Sequence, residues 1–242
     1  MTHAKEQIKE RPILFSGPMA RAILEGRKTQ TRRAIKPQPD AWIRGSTGTF
    51  GVPKKITNKK PHRNGTIWQE DDGTCYEDIK CPYGQPGERL WVRETWAKTC
   101  IHPDGSCDGD GCDYCSLDYR ADDPTAKYPG DWPNNTPPNQ CPPKWKPSIY
   151  MPRCASRILL EITEVRVERL QEISEADALA EGVLENPNQD SLYDFWHYGG
   201  SGCWGEFNAV GSFNSLWESI NGPESWEANP WVWAITFKKI NP

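Results

Sequence analysis

The sequence predicts a single mixed α+β domain with a β-sheet at its centre and a few short helices. Three observations carry that prediction. Arg157 to Leu170 is a long run of alternating, partly β-branched residues, read as one strand or two with a bend. Trp231-Val-Trp-Ala-Ile-Thr-Phe237 is a second strand, rich in aromatic and branched side chains. Pro18 to Glu25 and Glu206 to Ile220 instead repeat their apolar residues at helical spacing.

The 242 residues, of which 36% are hydrophobic, are enough for a real core. With 29 Lys and Arg against 33 Asp and Glu, the net charge is −4, so no global basic field attracts nucleic acid and any such contact needs a local patch. No run approaches the ~18 apolar residues of a membrane span. The start, Met-Thr-His-Ala-Lys-Glu-Gln-Ile-Lys-Glu, lacks the apolar core of a signal peptide. The expectation is a cytoplasmic protein with no membrane partner and no organic cofactor. Twelve Trp are expected mainly in packing, and secondarily as base-stacking platforms.

In chain order, Pro12-Ile-Leu-Phe15 reads as a first buried strand, and the Pro18–Glu25 helix ends at Gly26. Arg27-Lys-Thr-Gln-Thr-Arg-Arg33 follows as a cationic loop with two hydroxyls, a mixture suited to an oxyanion, a phosphate or a polar base. A solvated basic turn is the bland alternative. Residues 36–86 are rich in Pro, Gly, Lys and Asp and read as an irregular insertion, with Gly65-Thr-Ile-Trp68 as one strand of a small hairpin. Lys54, Lys55, Lys59, Lys60, His62 and Arg63 within it read as a solvated basic stretch.

After the turn Pro86-Gly-Glu88, the segment Arg89-Leu-Trp-Val-Arg-Glu-Thr-Trp96 alternates, Leu90 and Val92 facing one way, Trp91 and Arg93 the other. Residues 98–147 form a second irregular insertion dense in Asp, Gly, Pro and Cys. Ser174 caps a short helix from Glu175 to Glu181 that stops at Gly182.

Within the second insertion, Cys100, Cys107, Cys112 and Cys115 lie close together, and Cys112-Asp-Tyr-Cys115 has the spacing that lets two thiolates reach one tetrahedral ion. A structural zinc there would order a loop too poor in apolar residues to fold by burial. His102 is a spare ligand. Free thiols, or a site recruiting Cys75 and Cys81, are the alternatives; the odd total of nine cysteines forbids complete pairing within the chain. No phosphate-cradling Gly-rich loop, HExxH or GxSxG is present.

Gly26-Arg-Lys-Thr-Gln-Thr-Arg-Arg33 after a short helix, the Gly87-Glu88 turn into Leu90-Trp-Val-Arg-Glu94, and Ile173-Ser-Glu-Ala-Asp-Ala-Leu-Ala-Glu-Gly182 occur in this order. Together they resemble the ASCH domain family of the PUA-like superfamily, and more narrowly its long phage and prophage members. The resemblance covers roughly half of the chain; the insertions match nothing in the minimal domain. It implies a mixed, PUA-like β-barrel with short helices and two long insertions.

It also implies an activity. The best-defined enzymes of that family are bacterial N4-acetylcytidine amidohydrolases, whose proposed catalytic Lys, Thr and Glu fall on Lys28, Thr31 and Glu181. Thr31 would attack, Lys28 act as base, Arg33 hold negative charge, and Glu181 protonate the leaving amine or hold Lys28. The match at Glu181 can slip to Glu175 or Asp177. Because the family's second strand lies beside the basic motif, Trp91, Arg93 and Glu94 join Arg27, Arg32 and Arg33 as candidate substrate-binding residues. The expected function is hydrolysis of a modified nucleoside, nucleotide or nucleic-acid base. The alternatives are a non-catalytic module binding a nucleotide or single-stranded RNA, with Trp91 or Trp96 stacking a base, and a ribonuclease using the same cleft.

Overall fold

The computed structural model describes residues 8–36, 38, 43–44, 50–52, 67–69, 75–78, 80–100, 115–123, 144–185, 195–196 and 208–240. The strands are β1 (Glu10–Leu14), β2 (Gln30–Ala34), β3 (Ile43–Arg44), β4 (Phe50–Val52), β5 (Ile67–Gln69), β6 (Cys75–Asp78), β7 (Arg89–Arg93), β8 (Trp96–Cys100), β9 (Cys115–Tyr119), β10 (Leu159–Arg169), β11 (Leu184–Glu185), β12 (Phe195–Trp196) and β13 (Trp231–Ile240). The α-helices are α1 (Gly17–Leu24), α2 (Glu175–Ala180) and α3 (Ala209–Asn221), joined by three short 3-10 turns.

The chain is therefore mixed α+β with a sheet core. Its main sheet has the order β1-β7-β10-β13-β2, in which β1 and β7 run parallel and the other pairs antiparallel. Among the described residues this sheet is open: its edges β1 and β2 share no backbone ladder. Their ends are nonetheless joined by a side chain, the Arg33 guanidinium donating to the Leu14 carbonyl at 2.6 Å.

One face of the sheet carries the principal core, with Ile13, Leu90, Val92, Leu160, Ile162, Trp233, Ile235 and Phe237 packed against Phe15, Ala20 and Ile23. A second cluster lies beyond the opposite face, where Val232 meets Leu170, Ala178, Phe213, Leu216 and Trp217 of the segments around α2 and α3. Asn208 and Ser174 cap α3 and α2, each side chain accepting a backbone N–H of the first turn.

The long strand carries an irregularity that decides the site. Ile162 pairs with Phe237 but Glu164 with Thr236, so Thr163 is an extra residue. Before it, Leu160 and Ile162 point into the principal core; after it, Val165 and Val167 do. Side chains alternate along a strand, so the bulge sends Glu164, Arg166 and Glu168 to the other face, toward α2.

Three sequence expectations change. The cationic segment is not a loop throughout: Gln30 to Ala34 form an edge strand, because Arg32 finds buried partners on other elements. Arg89 to Trp96 is not one strand, since Trp96 opens β8 in a separate two-stranded ladder with β9. That ladder also gives regular structure to part of the second insertion, and the first contains the small sheet β3-β4-β6-β5, with Ile67–Gln69 in the predicted hairpin. No helix among the described residues is long and apolar enough to cross a membrane.

Candidate functional site

Gly26 adopts φ +79°, in the left-handed region, and lets the chain turn back on α1 so that the Arg27 and Lys28 amides both donate to the Ala22 carbonyl, at 2.9 and 3.0 Å. The turn aims Lys28 inward. Thr29 then donates its amide to the Ala180 carbonyl at 2.8 Å, docking the start of β2 on the end of α2. Glu181 follows as the last residue of α2's cap, and Gly182 at φ +94° releases the chain.

These two turns bring together Lys28 and Glu181, 1% and 3% exposed. The Lys28 ammonium nitrogen lies 2.7 Å from Glu181 Oε2 and 2.7 Å from the Glu181 carbonyl oxygen. It also sits over the Phe15 ring, 5.7 Å from its centroid. Burial pulls the Lys28 pKa below the ordinary lysine value; Glu181 opposes that shift and the cations of Arg33 and Arg32 add to it. A lysine so placed can accept a proton nearer neutrality than a surface lysine.

Thr31 and Arg33 lie opposite Ile235 and Trp233, which point into the principal core, so both share that face of β2. Thr31 is buried, and Arg33 stacks on the same Phe15 ring as Lys28, at 5.3 Å. The buried Arg33 Nε has no hydrogen-bond partner among the described residues. Burial lowers the Arg33 pKa, yet an arginine keeps its proton at physiological pH. Lys28 and Arg33 thus share the Phe15 ring, Thr31 is buried on the same strand face as Arg33, and Glu181 rather than Glu175 or Asp177 meets the lysine.

Gln30 and Arg32 occupy the other face. Arg32 donates from Nε and Nη2 to Glu168 Oε1 at 2.9 and 2.5 Å, from Nη2 to Asp177 Oδ2 at 3.1 Å, and from Nη1 to Gln30 Oε1 at 2.6 Å and Glu181 Oε1 at 3.4 Å. Gln30 in turn donates to Asp177 and Thr236. Arg166 approaches Glu164, Glu168 and Asp177 from outside. Gln30, Glu168 and Arg166 were not among the sequence candidates, and Asp177 was named only as an alternative to Glu181; the one local signal was the charge alternation Glu164-Val-Arg-Val-Glu168.

The remaining candidates lie apart from this cluster. Arg27, on the surface, pairs with Glu25 and donates to the Gly182 carbonyl at 3.1 Å. Trp91 is buried beneath the Arg93 guanidinium, 4.7 Å from its ring centre. Glu94, 1% exposed, is held by Arg157 at 3.0 and 3.1 Å, and Arg157 also grips Asp122 and stacks on Tyr119 at 3.9 Å. Burial raises the Glu94 pKa against the pull of Arg157. Phe15 links the two centres: its amide bonds the Arg93 carbonyl at 3.0 Å while its ring lies under Lys28.

Of the cysteine set, Cys107 and Cys112 lie outside the described residues, whereas the backbones of Cys100 and Cys115 stand directly opposite in the β8–β9 ladder. Cys81, an alternative ligand, belongs to the principal core, and burial pushes its thiol up to about 11, which disfavours the thiolate a metal needs. Among the described residues no group of three or more His, Cys, Asp or Glu is placed to hold a metal ion.

No family model, curated protein or solved structure matches the chain.

Proposed function

We propose that the chain is a hydrolase of a modified nucleoside, nucleotide or nucleic-acid base, with amide cleavage of the N4-acetylcytidine type as its reaction. The observation that carries this reading is the Lys28–Glu181 pair: a buried amine, its pKa lowered by burial, held 2.7 Å from a buried carboxylate. Groups of this kind are characteristic of proton-transfer sites, although structural ion pairs also perturb pKa values. Thr31 and Arg33 share one face of β2, and Arg33 shares the Phe15 ring with Lys28; in this reading they are the nucleophile and the oxyanion donor that amide hydrolysis requires.

In the reaction so read, neutral Lys28 takes the Thr31 hydroxyl proton as the oxygen attacks the acyl carbon. Arg33 donates to the oxyanion of the tetrahedral intermediate. The new ammonium of Lys28 returns its proton to the leaving exocyclic nitrogen, and the C–N bond breaks. Water then attacks the acyl-threonine, Lys28 taking its proton and passing it to the departing Thr31 oxygen, so that the carboxylic acid is released and Thr31 and neutral Lys28 are restored. Glu181 anchors Lys28, consistent with its acceptance of hydrogen bonds from both Lys28 and Arg32.

The frame of this proposal is a PUA-like barrel of the ASCH kind left open between β1 and β2, the gap bridged by Arg33 and Phe15. The burial of Lys28, Arg32, Trp91 and Trp96 speaks against a surface track for a polyanion, and so for the small-molecule or single-base reading over the RNA-binding one. Incubating the purified protein with N4-acetylcytidine, other acylated nucleosides, unmodified nucleosides and short RNAs, followed by mass spectrometry, tests it. Loss of the acyl mass is expected. Shortened RNA would replace the reading with ribonuclease action, and unchanged samples with retained RNA binding would replace it with a recognition module.

A further inference from the structure

Arg32 is a buried guanidinium whose three nitrogens make five hydrogen bonds, to Glu168 twice and to Asp177, Gln30 and Glu181 once each. A guanidinium has five N–H groups, so the five bonds, made to four acceptor oxygens, match its donor capacity. Two of the acceptors, Glu168 and Gln30, belong to the strands, and Asp177 to α2; Glu181 is the one that also touches Lys28. The result is a chain of alternating charge, Arg166 to Asp177 and Glu168, to Arg32, to Glu181, to Lys28. It runs from a side chain one-third exposed to one fully buried.

We propose that Arg32 is a positioning residue, which through its fork of bonds fixes the Glu181 carboxylate so that one oxygen faces Arg32 and the other presents itself to the Lys28 amine. Nothing in this assignment has Arg32 touch a substrate. The geometry makes it specific to arginine: a lysine supplies the charge but only three donors from one point, and cannot span Glu168, Asp177, Gln30 and Glu181 together. The same chain explains why Lys28 sits between opposing influences. Glu181 faces it from the end of α2 and Arg32 and Arg33 from β2, with Asp177 on α2, and Glu168 and Arg166 on β10, one step behind; Tyr83 lies beside Arg33.

The proposal takes Lys28 as the proton acceptor of the hydrolase reading, but its first test is independent of turnover. The side-chain amine of Lys28 is followed by NMR of lysine-labelled protein across pH, its signal assigned from Lys28→Arg. In Arg32→Gln the titration midpoint is expected to rise by about one unit, since a nearby cation is lost and one donor competing for the Glu181 carboxylate is removed. In Arg32→Lys it rises less but Lys28 loses its single sharp environment. If Arg32→Gln does not fold, Arg32→Gln with Glu168→Gln, which removes a stranded carboxylate, carries the measurement. A fall in Tm with the Lys28 midpoint unmoved would mean a merely structural arginine and overturns the assignment.

The kinetic arm uses N4-acetylcytidine: the acid limb of kcat is expected to move with the Lys28 midpoint while KM changes less than about twofold, because an indirect residue alters the base and not ground-state binding. A moved midpoint without turnover of any acylated nucleoside keeps the positioning role and rejects the hydrolase reading. Turnover with an unmoved midpoint does the reverse.

Discussion

Lys28 and Glu181, 153 positions apart in the chain, meet through a 2.7 Å contact that neither makes with solvent in reach. A buried pair of this kind is weak evidence of stabilisation in itself, because desolvating two charges offsets much of their attraction. Breaking it is another matter.

Lys28→Met takes from the buried Glu181 carboxylate its 2.7 Å partner and Glu181→Met takes from the buried Lys28 its counter-ion, and each is expected to lose about 3 kcal/mol of stability. The double variant Lys28→Met with Glu181→Met is expected to lose clearly less than the sum, with a coupling of about 1–3 kcal/mol. Urea unfolding of the four proteins at one pH measures it. Additive losses would show that the two residues do not act as a pair.

Lys28 also sets a pH dependence with a defined sign. Its folded pKa lies below the ordinary lysine value, so over the interval between the two the unfolded chain binds more protons than the folded one. Stability contributed by this group therefore rises with pH through that interval, and the burial cost is largest on its acid side. Wild type is expected to gain stability relative to Lys28→Met as the pH is raised from neutrality toward about 10. A difference that is flat or falls with pH would contradict a depressed Lys28.

Deleting Thr163 removes the bulge. Ile162 and Glu164 then follow one another in unbroken alternation, so Val165 and Val167 still face the principal core and Arg166 and Glu168 still face α2. The expected loss is about 1–3 kcal/mol, from the local twist the bulge supplies and not from an exchange of faces. Thr163→Ala, which keeps the extra residue, is expected to stay within about 1 kcal/mol of wild type. A loss well above about 4 kcal/mol on deletion would show that the ladder does not close up and that the faces exchange.

For the cysteine segment, protein purified without chelator is expected to carry about one equivalent of zinc, released when the thiols are alkylated in denaturant. Metal analysis that finds none, with every cysteine titratable in the native protein, would overturn the zinc expectation.

The elements with a periodic apolar face were legible in the sequence. β10, β13, α1, α2 and α3 fall within a few residues of their expected limits, because burying one face imposes a repeat that composition alone displays. The bend in the long strand was legible as well. What local pattern did not reveal was β2: Gln30-Thr-Arg-Arg-Ala34 has no apolar alternation, and it is a strand because carboxylates from β10 and α2 take up its charges. The same holds for the site. Lys28, Thr31 and Glu181 were named from a motif, with Asp177 only as an alternative to Glu181, whereas Glu168, Gln30 and the Arg32–Asp177 contact came into view only with long-range contacts. Glu94 and Arg157 were likewise separate facts until the fold placed them 3.0 Å apart.

The pairing of β2 with β13 has a consequence for biosynthesis. Thr31 finds its strand partner at Ile235 and Gln30 at Thr236, so the segment bearing Lys28 has no neighbour on its open side until nearly all of the described chain has left the ribosome. Until then the buried amine has a helix to meet but no sheet to fix it. Most of the described chain is translated before the Lys28 segment is fixed in its sheet, a late, long-range closure of the kind that folds slowly.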